Sequence, residues 1–288
     1  MNRLRTFPLG PLLLFISAHQ LAATTVVLVV TPSGMVVGAD GKTNPTGTAT
    51  KIFLLKNRLA VADLYAETAK TPDGTATLYD FPFWIKQIDS CTSPEVSVSE
   101  VTKIIRDKIR SAFAFAIDAI RRGEMTKEQA LTQGIDAYLD QFIIAGYEKG
   151  VPTAYSLTLM PDWNAKTVNG PFQVRLNPEK GQNTNSRIFW RGQGVGLKQV
   201  IVADSKEQKE FAARIPVEFQ ALRSTKDLTL HQASNVARAL LGVEAKANPK
   251  YVGFPMTLVT IPKSRRASVT TIEHDVAPVS GLPQNRHR

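Results

Sequence analysis

The sequence predicts an α+β protein built from two packed β-sheets with helices on their outer faces. Several predicted strands are nearly continuous apolar runs, a pattern typical of sheets that are covered on both faces. Strands are predicted before, between and after groups of helices, which differs from the regular alternation of a parallel α/β fold. With 288 residues and 43% hydrophobic side chains, the chain is long enough to bury one large core or two small ones.

The first 23 residues have the pattern of a secretory signal peptide. Two arginines precede a mostly apolar stretch over 7–18, and small residues follow at Ala22 and Ala23. The apolar stretch is interrupted by prolines and falls short of the roughly 20 residues that a membrane-spanning helix needs. We therefore expect a secreted or periplasmic protein that is cleaved after Ala22 or Ala23. Cleavage after Ala23 would make Thr24 the first residue of the mature chain.

Four strands are predicted ahead of the first helix. Residues 25–31 are β-branched and apolar, a Pro-Ser-Gly turn follows, and 35–39 returns as the second strand. A third strand over 52–55 is separated from a fourth over 59–62 by a polar Lys-Asn-Arg break. These runs lack the polar alternation of a half-exposed sheet, so we expect them to be buried on both faces.

Helical periodicity follows the fourth strand. Apolar residues recur at three- and four-residue steps over 101–120, and Gly123 ends this helix. A shorter helix is predicted over 126–138, where Thr126 and Gln129 are spaced as a capping box. The same criteria predict the remaining strands at 142–147, 154–160, 172–176, 188–190, 256–261 and 267–272, and the remaining helices at 195–203, 206–213 and 228–245.

These elements define the expected boundaries of the chain. A signal peptide over 1–23 precedes a folded domain over 24–274, and a tail over 275–288 contains proline, glycine and arginine. The sequence has no internal repeat that would indicate a repeat architecture.

Composition and motifs argue against several classes of protein. The formal net charge is +10, but the basic residues are spread along the chain without a zinc-finger or RNA-binding signature, so no nucleic-acid partner is predicted. No spacing of His, Cys and acidic residues suits a metal site. The glycines of Gly192-Gln193-Gly194-Val195-Gly196 do not match GxGxxG, so no dinucleotide cofactor is predicted. Cys91 is the only cysteine, which excludes an internal disulfide, and Ser90-Cys91-Thr92 is predicted to be a polar connector.

The first hairpin is expected to bring an acid to the start of the mature chain. A turn near Ser33 pairs residues whose numbers sum to about 65, which places Asp40 almost opposite Thr24 and Thr25. Lys51, at the start of the next strand, can lie beside the same end of the sheet. After signal cleavage, a hydroxyl, an α-amine, a carboxylate and an ammonium group would then meet at one place.

These groups are the ones that an N-terminal nucleophile needs. A threonine hydroxyl requires a base within hydrogen-bond reach, and an α-amine, which titrates near about 7.7–8.0, can be that base. In this hypothesis, Thr24 supplies both nucleophile and base. The Lys51 cation keeps the amine unprotonated and favours the alkoxide, and Asp40 orients and balances Lys51. Taken singly, Asp40 before Gly41 also fits a turn, and Lys51 also fits a solvated strand end.

The residues at this junction resemble a known family. The stretch TTVVLVVTPSGMVVGADGKTN, which begins at Thr24, resembles the first hairpin of proteasome β subunits and of the bacterial proteasome-like protease. Further stretches similar to family segments are Thr50-Lys51-Ile52-Phe53, Arg191-Gly192-Gln193-Gly194 and Val252-Gly253-Phe254-Pro255-Met256. The resemblance implies a four-layer αββα sandwich of the N-terminal nucleophile (Ntn) hydrolase type. It also implies hydrolysis of an amide or peptide bond, with Thr24, Asp40 and Lys51 as the catalytic residues.

Three departures from the family pattern are present. The stretch Ala62-Asp63-Leu64-Tyr65-Ala66 lacks the family's oxyanion-binding glycine. The serine of the family's helix start becomes Val195 or is lost, and the late aspartate falls near Pro249. These departures indicate a divergent hydrolase rather than a processive protease. The alternative is an exported binding or assembly protein that keeps the fold without catalysis. Either protein could form a homo-oligomer.

Overall fold

The fold is described from a computed structural model of the chain. The structure describes residues 24–43, 47–63, 68–70, 77–123, 126, 140–158, 161–162, 167–168, 172–174, 187–192, 194–223, 227–264 and 266–274. The predicted signal peptide over 1–23 and the predicted tail over 275–288 lie outside these residues, and so does the predicted helix over 126–138, apart from Thr126.

Runs of strands and runs of helices follow one another along the described residues, as in an α+β fold. The strands are β1 (Thr25–Thr31), β2 (Gly34–Asp40), β3 (Lys42–Thr43), β4 (Gly47–Thr48), β5 (Ile52–Leu55), β6 (Leu59–Asp63), β7 (Thr68–Lys70), β8 (Thr77–Asp80), β9 (Asp140–Glu148), β10 (Val151–Thr158), β11 (Pro161–Asp162), β12 (Thr167–Val168), β13 (Phe172–Val174), β14 (Arg187–Gly192), β15 (Met256–Pro262) and β16 (Ser268–Ile272). The helices are α1 (Phe81–Cys91), α2 (Val98–Arg121), α3 (Val195–Val200), α4 (Lys206–Arg214), α5 (Pro216–Arg223) and α6 (Leu230–Ala247).

Two antiparallel five-stranded sheets form the centre of the molecule. The first sheet has the order β14-β1-β2-β15-β16, and the second has the order β13-β10-β9-β6-β5. The hairpin of β1 and β2 pairs Val26 with Ala39, so the residue numbers sum to 65 as the sequence predicts. Because β1 also pairs with β14, the strand that begins at the predicted cleavage site has neighbours on both sides.

The apolar residues divide into three layers of core. Alternate residues of β1 and β2, such as Leu28 and Val37, meet residues of the second sheet, such as Ala60 and Ile143, between the two sheets. The other face of the first sheet packs against α3, α4 and α6, with α6 contacting β1, β2 and β15. The outer face of the second sheet packs against α1 and α2. This is a four-layer αββα sandwich, and the fold class predicted for the chain is confirmed.

Helix α1 is one of two helices that the sequence pattern did not predict. The side chain of Asp80 accepts a 2.8 Å hydrogen bond from the backbone N–H of Phe83, which caps the helix start. In the sequence, the proline in the first turn suggests that a helix is broken there, but proline is tolerated at that position of a helix. Cys91 is the last residue of α1 and is exposed, so the expectation that it lies in a connector is wrong.

Helix α5 is the other helix that was missed. It starts at Pro216, two residues after α4 ends at Arg214, and the intervening Ile215 is buried. A proline at the first helical position satisfies the backbone because that N–H would have no helical partner. The two helices therefore follow each other with a break of one residue, which hydrophobic periodicity alone does not reveal.

None of the helices in the described part of the chain is long and apolar enough to cross a membrane.

Candidate active site

The start of β1 and the end of β2 bring Thr24 and Asp40 to the same end of the first sheet. The backbone N–H of Thr25 donates a 2.7 Å hydrogen bond to Oδ1 of Asp40. This bond continues the hairpin register by one residue and fixes the carboxylate beside the predicted N-terminus. The structure therefore places Asp40 where the sequence predicts it, next to Thr24 and Thr25.

The carboxyl of Asp40 lies in a buried and polar environment. Its Oδ2 accepts a 3.3 Å hydrogen bond from the backbone N–H of Lys42, and the side chain is fully buried. Burial raises the pKa of Asp40 from 3.8 to about 7, although the amide of Thr25 and the charge of Lys51 act in the opposite direction. The acid therefore titrates close to neutral pH, and a perturbed carboxyl of this kind is typical of a functional site.

Lys51 comes to this site from the second sheet. It lies directly before β5, is 1% exposed, and attracts Asp40 electrostatically. A buried ammonium group is costly unless opposite charge lies near it, so the position of Asp40 gives a physical reason for lysine here. The structure thus brings Lys51 and Asp40 together, and Asp40 is bonded to the amide of Thr25, the residue after Thr24.

Thr24 is the third member of the cluster and is 1% exposed. Within the described residues, its Oγ1 is buried and has no hydrogen-bond partner. A buried hydroxyl without a partner costs about 1–3 kcal/mol, so residues of this kind are commonly held in place for a reason other than stability. The same hydroxyl group is the nucleophile in the catalytic hypothesis.

Asp63 is a buried acid next to this cluster that was not predicted as a site residue from the sequence. It ends β6, is fully buried, and its backbone N–H donates a 2.8 Å hydrogen bond to the carbonyl oxygen of Lys51. The register that pairs Ile52 with Ala62 places Asp63 directly across from Lys51. A signal for this contact exists in the sequence, because residues 51 and 63 have the same numerical sum as the pairs of the second hairpin. Lys51 therefore has an acidic neighbour in both sheets.

The structure gives a physical reason for the departure from the family pattern at the start of α3, the helix that follows β14. Oε2 of the buried Glu244 accepts hydrogen bonds of 2.8 Å and 3.1 Å from the amides of Gly196 and Leu197, and Oε1 accepts one of 3.1 Å from Val195. An acid from α6 therefore satisfies the free amides at the start of α3. A glycine is needed at 196 because a Cβ there would lie 2.8 Å from Cβ of Ala247.

The other two departures are partly visible. Pro249 stands near the position of the family's late aspartate, and its carbonyl oxygen accepts a hydrogen bond from Nζ of Lys42. The segment that would bind an oxyanion, after Asp63, lies outside the described residues. The described residues also contain no group of His, Cys, Asp and Glu that could hold a metal ion.

No protein-family model and no curated protein sequence matches the chain. The chain is similar to three solved structures of proteins called Anbu. These are a Gly-1 mutant of Anbu from Hyphomicrobium sp. strain MC1 (16% identity, 88% of each chain, TM-score 0.48), Anbu, described as an ancestral beta-subunit, from Yersinia bercovieri (17% identity, 87% of this chain and 88% of that chain, TM-score 0.47), and a helical assembly of the Anbu complex from Pseudomonas aeruginosa (17% identity, 88% of each chain, TM-score 0.48).

At 16–17% identity and TM-scores of 0.47–0.48, the similarity to these structures is a likeness that carries no argument about this chain. It assigns no catalytic role to Thr24, Asp40 or Lys51.

Proposed function

We propose that this protein is an exported N-terminal threonine hydrolase that cleaves an amide or peptide bond. The observation that carries the proposal is the 2.7 Å hydrogen bond from the N–H of Thr25 to Asp40, at the residue pair next to the predicted cleavage site. The buried charge of Lys51 near this carboxylate supports the same proposal. Burying an acid and a lysine together is energetically costly, so a catalytic role explains their proximity at this strand end better than stability does.

The proposed reaction has two halves. Oγ1 of Thr24 attacks the carbonyl carbon of the substrate and transfers its proton to the free α-amine of the same residue. The amine then gives that proton to the nitrogen of the scissile bond as the C–N bond breaks, which leaves an ester on Thr24. Water attacks the ester with the amine again accepting a proton, and the proton returns to Oγ1 as the acid product leaves.

Lys51 and Asp40 support both halves without forming bonds to the substrate. The ammonium of Lys51 lowers the proton affinity of the nearby amine and stabilises the developing alkoxide on Thr24. Asp40 holds Lys51 by charge and holds the start of β1 through the amide of Thr25. We therefore assign the roles of nucleophile and base to Thr24, of electrostatic stabiliser to Lys51 and of positioning residue to Asp40.

Release of Thr24 is a chemical requirement of this proposal. In the intact chain the nitrogen of Thr24 belongs to a peptide bond with Ala23 and has no basic electron pair, and the side chain is 1% exposed. We propose that export and cleavage after Ala23 create the base. The precursor would be inactive, and activity would appear in the secreted or periplasmic protein.

The proposal is tested with the exported protein. N-terminal sequencing should find Thr24 first, a panel of fluorogenic peptide amides should be hydrolysed, and a β-lactone should acylate Oγ1 of Thr24. Thr24→Ala should abolish both reactions, whereas Thr24→Ser, which keeps the hydroxyl and the amine, should retain measurable turnover. A mature chain that begins at Ala23 provides the matched control, because it keeps the hydroxyl but moves the amine to the wrong residue.

The noncatalytic alternative makes the opposite prediction. If a folded chain that begins at Thr24 neither turns over the peptide amides nor reacts with the β-lactone, the hydrolase proposal is wrong and a binding or assembly role replaces it.

We also propose that the chain associates with further copies of itself. Val195, Ile201 and Val202, at α3 and the turn after it, are 55%, 71% and 48% exposed. Exposed apolar side chains that lie close together are typical of protein interfaces. Light scattering of the exported protein tests this part, and a monomer at micromolar concentration would contradict it.

A further inference from the structure

A cavity lies at the end of the sandwich opposite to Thr24. Its volume is about 350 Å³, which is within the usual range for small-molecule sites. Strand β15 connects the two ends, because Met256 pairs with Asp40 and Pro262 pairs with Gly34. Six residues of strand at about 3.4 Å each separate the cavity from the candidate active site by roughly 20 Å. The cavity is therefore a separate feature and not the substrate cleft of Thr24.

Positive charge dominates the lining of this cavity. Arg58, Lys263 and Arg266 line it, and the described residues that line it include no acid. Arg58 also forms a 2.6 Å ion pair with Glu95 on the exposed surface. Such an exposed pair contributes little to stability, so Arg58 is able to turn toward a stronger anion at small cost.

The backbone around the cavity is held by hydrogen bonds from two hairpins. The N–H of Lys263 donates a 3.0 Å bond to the carbonyl of Ser33, in the turn between β1 and β2. The N–H of Ala267 donates a 2.9 Å bond to the carbonyl of Asn57, in the turn between β5 and β6. The backbone at Lys263 and at Ala267, the residue after Arg266, is thus bonded to a hairpin turn of each sheet.

Tyr147 and Ser264 also line the cavity, and both residues carry hydroxyl groups. The hydroxyl of Tyr147 is buried and has no hydrogen-bond partner among the described residues, while the side chain packs against the core between the sheets. Burial raises the pKa of Tyr147 to about 12, so the hydroxyl remains protonated at neutral pH and is able to donate. A buried donor without an acceptor costs about 1–3 kcal/mol, which an anionic ligand can offset.

We propose that this cavity binds a small molecule that carries a phosphate group. The guanidinium groups of Arg58 and Arg266 bind phosphate oxygens in pairs, the ammonium of Lys263 adds a point charge, and Tyr147 and Ser264 donate to the remaining oxygens. A phosphate has more acceptor oxygens than a single carboxylate, and it is the group that a site with this many donors suits best. The cavity volume leaves room for a small organic part beyond the phosphate.

Titration calorimetry of the full chain with pyrophosphate, at constant ionic strength, tests this proposal. We expect saturable binding with one site per chain, and weaker binding of citrate, a carboxylate probe of comparable charge. The double substitution Lys263→Gln and Arg266→Gln should weaken pyrophosphate binding by about tenfold or more, since hydrogen bonds to charged groups are lost. Tyr147→Phe, which removes one hydroxyl, should weaken it by about fivefold.

Controls separate a specific site from general attraction to a basic protein. Lys206→Gln together with Lys209→Gln removes two exposed charges on α4, far from the cavity in sequence, and should leave the affinity unchanged. Thr24→Ala should also leave it unchanged, because the cavity is independent of the proposed hydrolase chemistry. Absence of saturable binding, an equal loss in the α4 variant, or tighter binding of citrate than of pyrophosphate would each overturn the proposal.

Discussion

The amide of Thr25 and the carboxylate of Asp40 are joined by a 2.7 Å hydrogen bond across the first hairpin. This bond links the place where the mature chain is expected to start with an acid that is fully buried and titrates near neutral pH. The nearby charge of Lys51 acts on the same carboxylate and lowers its pKa, against the larger effect of burial. Protonation of Asp40 should therefore affect both the stability of the fold and the proposed activity.

The first prediction concerns stability as a function of pH. The pKa of Asp40 is raised from 3.8 to about 7 in the folded chain, so between these values the folded state keeps a proton that the unfolded state releases. The contribution of this group to stability is complete below about pH 4 and is lost as pH rises to about 7, by an amount on the order of a few kcal/mol. Urea unfolding of the parent chain and of Asp40→Asn at pH 4.5 and 7.5 measures it.

The comparison with Asp40→Asn isolates this group from other titrating residues. The asparagine variant loses the acceptor for Lys42 at every pH, so a constant offset is expected in addition to the pH-dependent part. If the difference in unfolding free energy between the two chains is the same at pH 4.5 and 7.5, Asp40 does not titrate in this range.

The second prediction concerns activity as a function of pH. The proposed mechanism needs an ionised Asp40 and a neutral α-amine on Thr24, with pKa values of about 7 for the acid and about 8 for an ordinary α-amine. We expect kcat/KM to rise between about pH 6 and 8, with apparent pKa values that belong to the coupled pair. A pH profile with the fluorogenic substrate measures this rise, and an optimum near pH 5 would contradict the assignment of both groups.

The third prediction concerns Lys51. Lys51→Met keeps an unbranched side chain but leaves Asp40 without its buried cation, so we expect a loss of about 3 kcal/mol or more in unfolding free energy and a large fall in kcat. The double variant Lys51→Met with Asp40→Asn removes both charges and should recover much of the stability but none of the activity. Urea unfolding and steady-state kinetics on the same samples separate the two effects, and additive losses of stability would show that the charges are not coupled.

The fourth prediction concerns Glu244 and the start of α3. Glu244→Gln keeps the shape of the side chain but replaces one acceptor oxygen by an amide donor that faces backbone N–H groups. We expect a loss of about 1.5–3 kcal/mol in unfolding free energy, measured with urea. Glu273→Gln, at an exposed position after β16, serves as the control and should change the stability by less than about 0.5 kcal/mol.

Local sequence determined the parts of the fold that depend on one hairpin or one helix. The turn at Ser33 and the apolar runs on both sides fixed the register of β1 and β2, and hence the meeting of Asp40 with residue 24. Helix α1 was missed because its core-facing residues are few and its first turn contains proline. Helical periodicity needs several turns before it is stronger than a single breaker residue.

The residues of the candidate site could be predicted from the sequence only where the pairing of the strands that carry them could be predicted. Asp63 was missed because its contact with Lys51 depends on the second hairpin, whose register was not worked out from the sequence. The role of Glu244 and the proposed phosphate cavity could not be predicted from the sequence, for a different reason. Their residues are separated by tens of positions along the chain, and only the packing of helices and turns from different layers brings them together.

Strand β1 is held between β2 and β14, and this arrangement fixes where a misprocessed chain would place its first amine. Val26 pairs with Ala39 on one side and with Arg191 on the other, so the strand cannot slide by one residue without turning every side chain to the opposite face. A chain cut one bond too early would therefore keep the position of the Thr24 hydroxyl but would carry its free amine on Ala23. Under the proposed function such molecules would be inactive, and the specific activity of a preparation would then report how accurately the proposed cleavage after Ala23 occurs.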